Sequence, residues 1–166
     1  AVDRSFKVSE AGLHALMPLE LADGTLVAVM LKPSENALPL GVAKFSPTGA
    51  HLWSKRIGNT GQDAAYGVAV DGSGNVLVAG YFAGAVDFGG GALTSAGGQD
   101  IFLAKYSSAG AHMWSKRLGN VGFDSAYGVD VDTAGNVAIG GYFTGAIDLG
   151  GGALLASGGS DTFVAK

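Results

Sequence analysis

The sequence predicts an all-β protein made of tandem four-stranded antiparallel units, and three observations carry that prediction. Glycine fills 29 of 166 positions, well above an average share of about 7%, so turns are frequent and long helices are disfavoured. Charged residues are only 14% of the chain while apolar ones are 48%, too apolar a balance for disorder. The chain also repeats itself. Shifted by 61 residues, 44–104 falls on 105–165 without a gap, with identity at about 38 of the positions.

Each repeat contains four strand-like runs. In the middle repeat they are residues 66–71, 75–82, 100–106 and 111–118, filled with β-branched and aromatic residues and free of any 3.6-residue apolar stripe. Gly72-Ser73-Gly74 joins the first pair and 107–110 joins the last, both short turns suited to antiparallel hairpins. The second run is apolar on both sides. Val76, Val78 and Phe82 point one way, and Leu77, Ala79 and Tyr81 the other. A two-layer sandwich would alternate apolar with polar, so each sheet here is expected to be covered twice, as when blades stack around an axis. Small residues (Ala79, Gly80, Gly140, Gly141) are expected to let neighbouring sheets approach closely. The architecture that fits is a β-propeller.

The whole chain reads as one repeat array of about three blades. Residues 13–57 form a degenerate blade, in which "KVSEAGLHAL" echoes "KYSSAGAHMW" and "LKPSENALPL" replaces a long glycine loop. Residues 65–118 form a full blade, and 126–166 a blade without its fourth strand, which residues 2–8 would supply from the same chain or another. Closed propellers need about four to eight blades. A partial propeller or an oligomer-completed ring is therefore expected, with self-association or the remaining blades of a longer chain as partner. A start at Ala1 rather than Met fits either a processed secreted protein or a piece of something longer.

The order W-S-K-R-x-G-N, D-x-A-Y-G-V-x-V-D-x-x-G-N-V, G-x-F, D-x-F-x-A-K resembles the bacterial cell-surface β-propeller-repeat proteins (the SBBP-type repeat). Trp53, Gly58, Asp63, Gly67, Asp71, Gly74, Asn75, Gly80, Asp100 and Lys105 carry the resemblance, which covers residues 40–166 well and the first 40 poorly. It implies a propeller on secreted or surface-attached bacterial proteins, mostly of unassigned function.

Composition removes several function classes. The net charge is −4 with no basic tract, so no nucleic-acid footprint is present. No apolar run approaches the ~20 residues of a membrane helix, and without cysteine there is no disulfide or thiolate chemistry. Candidate ligand residues fall into two groups. In a meander the long 2–3 and 4–1 connections share one end, where Asp63, Asp87, Asp100, Asp124, Asp148 and Asp161 would make an acidic, glycine-lined face for a cation or cationic ligand. The competing reading is that each Asp accepts N–H bonds in its own turn.

Trp53 and Trp114, alternating with His and Lys on a fourth strand, would either stack a sugar or partner, or seal blade against blade. Segments 71–75 and 132–136 resemble half a calcium loop but lack Gly at the sixth position and Glu at the twelfth, so hairpin turns are expected and no metal site is assigned. His14, His51 and His112 occupy equivalent repeat positions on different blades and cannot converge. No nucleophile–base pair stands out, and no catalytic residue or cofactor is expected. The function expected is a secreted or cell-surface binding or structural module for a protein or glycan ligand. A lectin-like oligomer is the alternative, and a metal-dependent propeller lyase or hydrolase the weaker one.

Overall fold

The computed structural model describes residues 14–31, 41–59 and 61–166. Residues 2–8, offered above as a completing strand, lie outside them. Three antiparallel sheets follow one another along the chain. The first holds β1 (His14–Glu20), β2 (Leu26–Leu31), β3 (Gly41–Phe45) and β4 (His51–Arg56), side by side in chain order. The second repeat contributes β5 (Ala64–Val70), β6 (Val76–Phe82), a short hairpin of β7 (Ala85–Asp87) and β8 (Ala92–Thr94), then β9 (Asp100–Tyr106) and β10 (His112–Leu118). Its sheet runs β10-β9-β6-β5, with β7–β8 set apart. The third repeats the pattern with β11 (Ser125–Val131), β12 (Val137–Phe143), the hairpin β13 (Ala146–Asp148) and β14 (Ala153–Leu155), and β15 (Asp161–Ala165) beside β12. The fold is all-β, a partial propeller of about three blades.

The two-sided second strand does what its composition demands. Val76, Val78 and Phe82 join one core with Val27, Val29, Val42 and Trp53 of the first sheet. Ala79 joins a second core with Ala126, Ile139, Phe143 and Phe163 of the third. On β9 the same division holds, with Phe102, Ala104 and Tyr106 on the first side and Ile101 and Leu103 on the second. The middle sheet is therefore buried on both faces. At about 25 cal/mol per Å² of apolar surface, that double burial stabilises the fold strongly.

The sequence reading of the long glycine loops needs correction. Residues 83–99 are not a free loop: β7–β8 folds back along the sheet, with Val86 and Phe88 buried. Phe88 stacks on Phe102 at 4.8 Å and meets Phe82 edge-on at 5.8 Å. Its carbonyl accepts the Tyr106 hydroxyl at 3.0 Å. Three-residue strands bounded by glycines carry too little period-2 signal to be seen, and it is Val86 and Phe88 that pull the hairpin down.

The role given to Gly80 and Gly141 also changes. A Cβ there would overlap the carbonyl of Ala64 or Ser125 in the same sheet, not a neighbouring sheet. These glycines make room for β-bulges, where pairing skips from Ala65 to Gly67 and from Ala126 to Gly128. Close approach between sheets occurs instead at Gly67, where a Cβ would stand 2.8 Å from the Val129 nitrogen.

Trp53 locks the first sheet to the second. Its Nε1 donates to the Ser108 carbonyl at 3.0 Å, and Lys44 Nζ donates to the carbonyls of Gly74 (3.3 Å) and Ser108 (3.4 Å). Both acceptors sit in short turns of the second sheet. Gly110, with φ +83°, lies so close beneath the indole that a Cβ would come within 2.9 Å of it. Replacing Trp53 with Ala is expected to cost about 3–5 kcal/mol, read from the urea midpoint, and Trp114→Ala clearly less because Trp114 is only half-buried. Equal losses would contradict the seam described.

Candidate functional site

At the short-turn end, Asp71 organises the β5–β6 turn. Its Oδ1 accepts N–H from Ser73 (2.9 Å) and Asn75 (3.0 Å). Its Oδ2 takes the Asn75 amide at 2.9 Å and the Lys105 ammonium at 2.7 Å. Burial works to raise this carboxyl, but the Lys105 and Asn75 donors outweigh it and hold it well below the usual range. Asp132 repeats the arrangement with Lys166 at 2.8 Å and is held low first by that ammonium and then by Asn136. These segments are hairpin turns whose carboxylates are already engaged by donors.

The six aspartates expected at the long-loop end each accept backbone N–H bonds, and they do so in three ways. Asp63 takes the N–H of Asn59 at 2.9 Å and of Ala83 at 3.2 Å, tying the connection before β5 to the end of β6. Asp124 does the same with Asn120 (2.9 Å) and Thr144 (3.2 Å). Asp87 closes its glycine turn through Gly89 (2.7 Å) and Gly91 (3.0 Å), as Asp148 does through Gly150 and Gly152. Asp161 accepts the Ser157 N–H at 2.7 Å, and Asp100 accepts that of Ala96 together with Arg117 Nη1 at 3.2 Å.

Asp87 does not stand at the long-loop end. Its turn rests against His112 at the start of β10, where a Cβ on Gly89 would lie 3.0 Å from the His112 Cβ. Among the described residues no three His, Asp or Glu side chains converge in a way that could hold a metal. Two carboxylates do meet. Asp100 and Asp124 are both fully buried, and a Cβ on Gly119 would overlap Asp100 Oδ1 and Asp124 Oδ2 together. Asp100 Oδ1 has no hydrogen-bond partner. Burial, with the Asp100 charge adding to it, raises the Asp124 carboxyl despite its two N–H donors.

The two tryptophans stand in different surroundings. Trp53 is buried under the turn at 107–110, whereas Trp114 lines an opening of about 290 Å³ with Leu103, Lys116, Val137 and Ile139. His, Trp and Lys do not share one side of the strand as expected. A bulge pairs Lys105 with Trp114 but Tyr106 with His112, so Trp114 faces the third sheet while His112 turns to the other side and meets Tyr106 edge-on at 6.0 Å. Nor do the three histidines lie on three sheets. His14 opens β1 and His51 opens β4, the two edges of the first sheet. Asp23 follows His14 by 9 positions where Asp132 follows His112 by 20, so a strand that begins like a fourth strand has to serve as a first.

Sequence reasoning missed a tyrosine cluster. Tyr66 and Tyr127 are the bulge residues of β5 and β11, skipped by the pairing on either side. Tyr81 and Tyr142 stand on β6 and β12. The rings run in series, with Tyr81–Tyr66 at 5.9 Å, Tyr66–Tyr127 at 5.1 Å across the seam, and Tyr127–Tyr142 at 5.6 Å. The signal was present in the twice-written A-Y-G-V, but only a bulge shows that its Tyr leaves the regular alternation.

Comparison with known proteins supports the architecture. The β-propeller repeat family (SBBP) matches residues 52–81. An uncharacterized WD repeat-containing protein of Acanthamoeba polyphaga mimivirus is 26% identical over 156 residues, covering 86% of this chain. The chain spans 11% of that relative's length. Both similarities fit a β-propeller repeat protein, the kind of scaffold used for binding and structural roles.

The Asp124 carboxyl, raised above its ordinary value of 3.8, gives a pH dependence of definite sign. The native state takes up this proton more readily than the unfolded chain, so the associated stability is present at low pH and lost as pH rises through the native pKa. An Asp124→Asn variant lacks that dependence. Measured by urea unfolding, its stability relative to the unsubstituted protein should improve from pH 4 to pH 7; an offset independent of pH would remove the raised carboxyl.

Proposed function

We propose that this chain is a non-catalytic binding and structural module, secreted or displayed on a bacterial cell surface, that works by adding further sheets of its own kind to its open faces. The observation that carries this reading is the inequality of its two seams. Trp53 is covered by a turn from the next sheet, while Trp114, one repeat on, is left half-buried beside an opening. Val164, on β15, is 87% exposed, and Leu155 of the adjoining hairpin is 75% exposed, an arrangement typical of surfaces that meet a partner. What fits there is a turn and strand of the type that covers Trp53, supplied by a further repeat of the same kind or by a second copy of the chain.

The absence of chemistry in this reading rests on how the polar groups are used. His112 Nε2 lies 3.2 Å from Ser115 Oγ, but Asp87, which lines the same opening as His112, has its Oδ1 engaged by Gly89 and Gly91. Secretion and a bacterial surface rest on the resemblance of the repeat alone. Trp114 beside Lys116 also favours a second reading, a glycan stacked on the indole.

Light scattering at micromolar concentration tests the proposal. Where a second copy fills the opening, a dimer or larger species is expected, with Trp114→Asp shifting it to monomer by at least tenfold in dissociation constant while Ser73→Asp, in the exposed β5–β6 turn, leaves it intact. A monomer at every concentration would overturn self-association; if that monomer bound sugars through Trp114, the second reading would replace it.

A further inference from the structure

We propose that Tyr66, Tyr81, Tyr127 and Tyr142 form a binding site for an alkylated ammonium group, held on the ring faces where the second and third sheets meet. The site is independent of the association surface at Trp114.

The backbone is arranged to place these rings. In both sheets a bulge falls at the same tyrosine, and in both a glycine on the partner strand, Gly80 or Gly141, leaves room for the carbonyl that the bulge displaces. A bulge costs ladder pairing and is commonly used to re-aim one side chain. Here it re-aims an aromatic twice, and Gly67 lets β5 come against β11 so that Tyr66 and Tyr127 reach 5.1 Å. Seam packing alone does not require this. Val129 already packs against the second core, and the four tyrosines stand outside both cores. Tyr66, Tyr81 and Tyr142 stay partly exposed, so they gain little from burial and keep ring surface available.

Electrostatics select the ligand. The charged groups acting on the phenols are carboxylates, Asp63 on Tyr81 and Asp124 on Tyr142. Burial first, then the neighbouring Tyr66 phenol, pushes Tyr81 up to about 12. Tyr142 is raised by burial and by Tyr127 and Tyr66. The Tyr81 and Tyr142 hydroxyls therefore stay neutral at physiological pH, while the buried carboxyl groups of Asp63 and Asp124 sit behind them. A cation is favoured, but a hard one is poorly served: each of these carboxylates is buried and already holds two backbone N–H donors. An alkylated ammonium needs no directed lone pair and gains from ring faces and field alone. It sheds water readily, which suits a surface made of aromatic rings.

Titration followed by NMR of the tyrosine ring protons tests the site on the full chain. Phosphocholine and Nε-trimethyllysine are the probes, distinguishing a lipid-type headgroup from a modified protein side chain. 3,3-Dimethylbutanol, the uncharged isostere of choline, is the control. Saturable shifts of Tyr66 and Tyr127 with either cation, at least tenfold weaker in Tyr127→Ala and retained in Tyr127→Phe, are expected, with the oligomeric mass unchanged in both variants. Equal binding of the isostere would overturn the cation, and no saturable shift by about 100 mM of either probe would overturn the site. Because the readout is local to the rings, its failure leaves the Trp114 surface standing, and the converse holds too.

Discussion

A strand that is apolar on both sides cannot face water on either, and β6 imposes that constraint on the rest of the chain. With Val76, Val78 and Phe82 on one side and Leu77 and Ala79 on the other, all fully buried, the sheet must be covered twice. Two flanking sheets do this, and the hairpin β7–β8 fills the gap that they leave with Val86 and Phe88. The sheets have to approach closely enough for dispersion contacts to form, which is why Gly67 and Gly110 stand where a Cβ would collide with a neighbour. Blade geometry follows from the demand for two covers. A chain with few charges can meet that demand only with more of itself.

The carboxylates follow from the same scarcity of charge. Long connections between apolar sheets leave backbone N–H groups at the edge of the core, where an unpaired donor costs about 1–3 kcal/mol. Aspartate is short enough to reach two such donors at once, as Asp63 and Asp124 do across 20 residues of chain. At the second seam this solution meets its limit. Asp124 must share the space beside Gly119 with Asp100, whose second oxygen is left without a donor. Arg117 offsets part of that charge from the Oδ2 side. The remainder is expressed as a carboxyl that holds its proton more firmly than usual.

Much of this was legible in the residues. The strands of the middle repeat could be read to within two residues because turn glycines bound them and alternation within them is clear. The two faces of β6 could be assigned because both were apolar. What escaped reading has a common cause, the loss of period 2. Bulges at Tyr66 and Tyr127 and before Trp53 and Trp114 shift the alternation by one, so His112 and Trp114 part company and the tyrosines turn out of the ladder. The hairpins β7–β8 and β13–β14 were hidden because three residues are too few to show a period. Of the candidate site residues, the aspartates could be found by type but not by role: nothing in a sequence distinguishes a carboxylate that staples a loop from one that awaits a ligand.

Some features are set between sheets: Trp53 is sealed because the turn at 107–110, one repeat on, packs over its ring. Tyr66 and Tyr127 are the opposite case. Both are set by a bulge inside their own sheet, which the repeat carries with it, and they meet because the sheets do. A feature encoded within one blade is copied with the blade, whereas a feature encoded between blades changes with each new neighbour. Recognition built on the first kind multiplies as repeats are added, while the second kind decides how many repeats can be joined.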